Sequence, residues 1–491
     1  MTTTDPCTDD HAPMAAAVLS GGDRFTGREL ATLFVLCGAL FLDALDVSMI
    51  GVSLASIQAD LHMSTPTLQW VVSAYTLGYA GFLLVGGQAA DSFGRRRMFL
   101  ASLAVFTLAS GLGGIATTGG LLIASRLITG ISAAFTAPAG LSIITTSFDA
   151  HKRNRALTIY SATGASGFSL GLVAGGALTD VQWRLVFLAP VAIAAIVLAL
   201  AWRLVPQPPA DEQRRPISAA SAVLVTAAMG TAVYAIVEAA TDGWLSAATL
   251  IRLAVAGALA FAFAMITSRS PQPLLRFGLL RERGVAAANI GGFALLGSWV
   301  STLFLLTLYL QQVRGYSPLA TGLAVAPSGL VVALFSPRIA PPLIARFGAI
   351  AVAAAGLSTI AAAYALLLRI GTGSPYALVI LPSVLLVGFA FALAYGSLSI
   401  AATTVPRGEQ GVAAGVVNTS FQIGPTVMIA IVTAITSSRL PHVIDLSRTT
   451  AAYRTGLVAP LVVAVLGAGV LLTNAVRSRS RAGTQSRSLD Q

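Results

Sequence analysis

The chain has 491 residues, 56% of them hydrophobic and 10% charged, with a mean hydropathy of +0.81 and a formal net charge of +11. Soluble domains carry about 25% charged residues, so this composition excludes a water-soluble globular protein of this size. The basic excess does not mark a nucleic-acid binder, because it sits in short arginine clusters between apolar runs, the pattern of membrane loops. Lys152 is the only lysine.

Residues 1–28 are polar with several acids and read as a tail without a cleavable signal. A helix that crosses a bilayer needs about 20 apolar residues. That template predicts an all-α polytopic membrane protein with fourteen spans: 31–55, 68–90, 98–117, 119–141, 157–178, 186–205, 218–239, 246–267, 286–310, 319–338, 349–369, 377–400, 412–436 and 453–475. Basic residues divide roughly 22 to 6 in favour of one side, which puts both termini in the cytoplasm. The proline-rich stretch near Pro206–Pro216 reads as an extended cytoplasmic linker.

The first span carries Asp43 and Asp46, three residues apart and so on one helical face. Charge at bilayer depth costs several kcal/mol unless it is paired or faces a wet cavity, so such acids are functional by default. The second span ends in GGQAADSFGRRR, with Gly87, Asp91, Gly94, Arg95 and Arg97 at the spacing G-x3-D-x2-G-R-x-R. Glycine there permits a tight reversal, and the arginines suit an anionic inner leaflet. In the fourth span Arg126 lies at a depth close to that of Asp46, so the two can pair if their helices are neighbours. Two readings stand for such a pair, a structural ion pair and a proton relay. In the fifth span Gly164, Gly167, Gly171, Gly175 and Gly176 form one face of small residues that admits a close helix neighbour. Glu238 and Arg252, near the outer ends of spans seven and eight, are expected to snorkel to the interface. In the second half Trp299, Tyr309, Gln311, Gln312, Tyr395, Asn418 and Gln422 are polar or aromatic residues that line a substrate cavity or serve in packing.

Three stretches recur at an offset of roughly 253–256 residues. SFGRR at 92–96 matches ARFGA at 345–349, 139–144 matches 395–400, and 156–171 matches 412–424. The expected organisation is a tail (1–30), a six-helix bundle (31–205), a linker with two inserted helices (206–284), a second six-helix bundle (285–475) and a C-terminal tail (476–491).

The cysteines, Cys7 and Cys37, and the histidines, His11, His62, His151 and His442, make no metal or redox cluster, so no metal and no cofactor is expected. Lys152 follows His151 rather than glycine, so there is no P-loop and no nucleotide engine of the chain's own.

GGQAADSFGRRR resembles the cytoplasmic signature of the major facilitator superfamily. LDVSMIGVSLASI (45–57), RLITGISAA (126–134), GFSLGLVAGG (167–176) and YLQQVRGYSPLATG (309–322) resemble motifs of its fourteen-helix drug:proton antiporters. One departure is that Leu172 follows Gly171 where the family's motif has proline; a Gly-Pro pair stands instead at the repeat-equivalent Gly424–Pro425. The resemblance implies the major facilitator fold, neighbouring first and fourth helices, and proton coupling through Asp43, Asp46 and Arg126. It assigns cytoplasmic gating to Gly87, Asp91, Gly94, Arg95 and Arg97, and proton-tight rocking of the halves to Gly167, Gly171, Gly175 and Gly176. It implies a plasma-membrane monomer whose partners are protons, a small molecule and the lipid bilayer, with no nucleic acid and no nucleotide. Export of small amphipathic organic compounds by antiport is the expected function, with proton-coupled uptake of a polar solute as the alternative. An enzyme or sensor is disfavoured, because no catalytic cluster is present.

Overall fold

The computed structural model describes residues 25–206, 219–269, 277–402, 404–405, 410–439 and 445–489, and these are helical wherever they form regular structure. The order is α1 (Gly27–Asp60), α2 (Thr65–Phe93), α3 (Arg95–Gly114), α4 (Gly119–Ser147), α5 (Ala150–Val181), α6 (Leu185–Leu204), α7 (Ala219–Asp242) and α8 (Ala247–Arg269). It continues with α9 (Arg283–Leu308), α10 (Pro318–Phe347), α11 (Ala349–Leu367), α12 (Leu381–Ala402), α13 (Gln410–Ser437), α14 (Leu446–Gly456) and α15 (Val458–Leu489). Among the described residues, twelve helical segments are long and apolar enough to cross a membrane. The remaining long helices, α2 and α5, have 29 and 32 residues.

Several helices outrun the apolar spans because polar residues extend them. Thr26 and Glu29 form a capping box, which starts α1 at Gly27 rather than near residue 31. Lys152 on the first turn of α5 pairs with Glu29 at 3.0 Å, which stitches two polar helix starts together. The last span differs from expectation. Asp445 caps a short helix, α14, and the chain breaks at Leu457 before α15, so the single helix expected over 453–475 begins inside α15's predecessor.

Packing repeats in order. α1 lies on α5 and α6, α2 on α4, and α3 on α4 and α6; correspondingly α9 lies on α13 and α15, α10 on α12, and α11 on α12 and α15. Gly94, between α2 and α3, has φ +98°, and Gly348, between α10 and α11, has φ +86°. The left-handed backbone at both positions explains why SFGRR and ARFGA share a glycine. α7 packs on α8, α2 and α13, whereas α8 turns Leu250, Ile251 and Phe261 outward. The halves meet along α5 with α10 and α2 with α13, and more lightly along α1 with α9.

Candidate functional site

Two glycine seams position the charged residues. On the first, a methyl group on Gly130 of α4 would meet the Tyr75 carbonyl carbon and Cα of α2 at 2.7 and 2.9 Å, and one on Gly78 would meet the Ile131 nitrogen at 2.8 Å. α2 and α4 therefore touch backbone to backbone. Arg126 lies one helical turn from Gly130, so the seam carries its side chain to α2, where Nε donates to the Val71 carbonyl at 3.3 Å. Its guanidinium stands 4.8 Å from the centre of the Tyr75 ring.

The second seam joins α1 to α5. Methyl groups on Gly167, Gly171 and Gly175 would meet backbone atoms of Phe41, Leu45 and Met49 in turn, the nearest at 2.6, 2.8 and 2.6 Å. The four-residue steps on both helices set the pairs one above another. Gly164 belongs to the same face, against Leu40. Gly176 departs from the expected single face. It points to the other half of the molecule, where a methyl group would meet the Pro318 oxygen and Leu319 Cα of α10 at 2.6 and 2.7 Å. Adjacent residues on a helix diverge by about 100°, so the motif serves two neighbours.

Between the seams the acids of α1 face α2 and α4. Arg126 Nη1 donates to Asp46 Oδ2 at 2.5 Å, with side-chain exposures of 3% and 0%. The other oxygen, Asp46 Oδ1, is buried without a hydrogen-bond partner among the described residues. Asp43 Oδ1 accepts from the Tyr75 hydroxyl at 2.6 Å. Two carboxylates and one guanidinium thus share a low-dielectric site, an arrangement able to hold or release protons.

An aromatic array runs from the first half into the second. Ring centres run from Phe168 on α5 to Trp299 on α9 (4.5 Å), to Phe391 (4.9 Å) and Tyr395 (4.9 Å, stacked) on α12, and to Phe421 on α13 (5.1 Å). Trp299 and Tyr395 belong to it. Tyr309 and Gln311 lie apart from it. Tyr309 is fully buried and donates to the Gly371 carbonyl at 2.7 Å, while Gln311 Nε2 crosses to the Val52 carbonyl of α1 at 2.8 Å. Gln311 thereby links the halves, and further links between them lie toward the end of α1. Ser317 Oγ donates to Asp180 at 3.2 Å, the Leu319 amide approaches the same carboxylate at 3.5 Å, and Gln312 Nε2 approaches Gln58 Oε1 at 3.5 Å, while Tyr453 of α14 donates to Gln312 from within the second half.

At the opposite end of α2, Gly94 makes the reversal into α3, and Arg96 docks on α6 by donating to the Trp202 carbonyl at 2.5 Å. Arg97 is exposed and Arg95 half-buried. Gly87 and Asp91 lie on α2, and their surroundings fall outside the described residues. Glu238 and Arg252 are tied rather than free at the interface: Glu238 accepts from Trp70 Nε1 at 3.1 Å and Arg252 pairs with Asp242 at 2.7 Å. Sequence reasoning passed over Tyr75, Gly78, Gly130 and Phe168. The recurrence of Gly78 and Gly130 among apolar residues was the signal available, but it does not say which helices meet.

A family model described as Major Facilitator Superfamily matches residues 36–429. The puromycin resistance protein pur8 of Streptomyces alboniger is 36% identical over 476 residues, covering 94% of this chain and 93% of the relative. The cephamycin export protein CmcT of Amycolatopsis lactamdurans is 35% identical, with 85% and 87% covered. Among solved structures, the POT family transporter PepTSo superposes with a TM-score of 0.68 at 15% identity, over 91% of this chain and 98% of that one. A bacterial homolog of the human lysosomal transporter Spinster, inward-facing and unoccupied, gives 0.64 at 16% over 92% and 98%. At these identities the structures speak for the fold alone.

Proposed function

The chain belongs to the major facilitator superfamily, and on that premise we propose that it is a proton-coupled antiporter exporting small amphipathic organic compounds by alternating access. Members of the family are membrane transporters and not enzymes. The names of the relatives, puromycin resistance and cephamycin export, support outward movement of an organic compound. In this reading α1–α13 and α15 make fourteen spans, with bundles over 31–205 and 285–475 around the inserted α7 and α8. Both termini face the cytoplasm of a plasma-membrane monomer, so the end where α1 finishes is the outer face.

The observation that carries the reading is the buried Asp46–Arg126 pair with Asp43 beside it. A carboxylate oxygen without a donor, in an ion pair at membrane depth, is a place where a proton adds at the cost of weakening one salt bridge. Trp299, Phe391 and Tyr395 offer flat apolar faces for the compound. Gly94, Arg95 and Arg97 with Gly87 and Asp91 gate the inner end, and Gly167, Gly171, Gly175 and Gly176 let α5 turn against both neighbours without a gap. Expression in an efflux-deficient host tests this. Tolerance to a subset of a panel of organic toxicants is expected, and a protonophore should abolish it. No protection, or protection indifferent to the protonophore, would overturn the proposal.

A further inference from the structure

We infer that Tyr75 is the positioning residue that joins the two acids of α1 into one proton-dependent clasp; the inference rests on the antiport reading above. The first half of the molecule contains two closely packed plates, with α3 and α6 packed alongside them. The backbone contacts at Gly78 and Gly130 make α2 and α4 one plate, and those at Gly167, Gly171 and Gly175 make α1 and α5 the other. α1 packs chiefly on α5 and only lightly on α2 and α4. Two contacts of charged groups tie the plates directly at mid-depth. Tyr75 on the first plate donates to Asp43 on the second, and Arg126 on the first holds Asp46 on the second. Tyr75 cannot drift from Arg126, because its backbone is pinned under Gly130 and its ring lies beneath the guanidinium.

Each tie needs a carboxylate. A proton added to Asp43 cancels the charge that the Tyr75 hydroxyl faces, and a proton added to Asp46 cancels the charge that Arg126 faces. In each case one O–H bond forms on a carboxylate, and Tyr75 keeps its own proton throughout. Charge-assisted hydrogen bonds are roughly twice as strong as neutral ones, so each protonation loosens the plates. Among the described residues, the titratable and charged groups facing this pair from packed helices are Tyr75 and Tyr79 of α2, Arg126 of α4 and Tyr160 of α5. The movement has a route outward. α5 carries Gly176 against Pro318 and Leu319, and the Leu172 carbonyl against Gly322, so a shift of the α1–α5 plate acts directly on α10 in the other half.

The test uses the full chain in proteoliposomes driven by a pH gradient. Y75F keeps the ring under Arg126 and removes only the hydroxyl. It is expected to slow gradient-driven export about tenfold, the order of one hydrogen bond to a charged group, with the KM for the compound unchanged. Because Tyr75 acts through Asp43, the double variant D43N/Y75F should be no slower than D43N. Full-rate export by Y75F, or effects that multiply in the double variant, would overturn the inference. A second measurement leaves Tyr75 intact: spin labels on α1 and α4 should move apart on acidification, and an unchanged separation would overturn it too. Unsubstituted protein that ignores the gradient sinks the antiport reading and this inference with it. Unsubstituted protein that responds, with Y75F responding equally, sinks this inference alone.

Discussion

Replacing Asp46 by asparagine removes a charge and almost no volume, which separates chemistry from packing. The pair it breaks is buried, with both side chains at 3% exposure or less. Removing one partner of such a pair costs about 3–5 kcal/mol, because the other charge is left uncompensated. Arg126 here keeps the Val71 carbonyl and the Tyr75 ring. A desolvated cation–π contact is worth about 2 kcal/mol, so the loss should fall near the lower bound, about 3 kcal/mol. That is less than the 5–15 kcal/mol that typically separates folded from unfolded protein, so the variant should insert and fold with a lowered melting temperature in detergent. It cannot take a proton at this position. In proteoliposomes, export driven by a pH gradient should vanish while binding of the compound persists. The double variant D46N/R126Q removes the stranded cation and should regain much of the stability without regaining export. Gradient-driven export by D46N at the unsubstituted rate would refute the assignment.

Two further substitutions probe the contact between α5 and α10. G176A places a methyl group against backbone atoms of Pro318 and Leu319 at 2.6–2.7 Å, and overpacking of this kind costs about 1–3 kcal/mol. It should lower turnover and raise thiol labelling of a cysteine introduced into the outer face; unchanged labelling would refute the contact's importance. D180N removes an anion from the N-terminal end of α10, worth about 0.3–1 kcal/mol at an exposed site. It should shift the same labelling in the same direction, roughly two- to fivefold, and an effect larger than that of G176A would contradict this ranking.

The acids of α1 were legible in the sequence because charge in an apolar run has few explanations. Depth along two helices even matched Asp46 to Arg126, since rise per residue is fixed. The turn at Gly94 and its echo at Gly348 were legible for a similar reason: a reversal between spans needs a residue that tolerates positive φ. Tyr75 was not legible. A tyrosine in an apolar helix has the same composition whether it packs or positions a charge, and only the approach of α4 at Gly130 distinguishes the two. Gly175 and Gly176 looked equivalent in a list of small residues, yet one step of helical rotation sends them to different halves. The hydrogen bonds of Tyr309 and Gln311 were not legible either. Their partners, Gly371 and Val52, come from distant segments that no local pattern reveals.

The most direct measurement is flux in sealed vesicles carrying the purified chain, with the compound on one side and an imposed pH difference that can be collapsed at will. The compound should move against the direction of proton flow and stop moving when the pH difference is collapsed. Flux of the same rate with and without the pH difference would contradict this expectation.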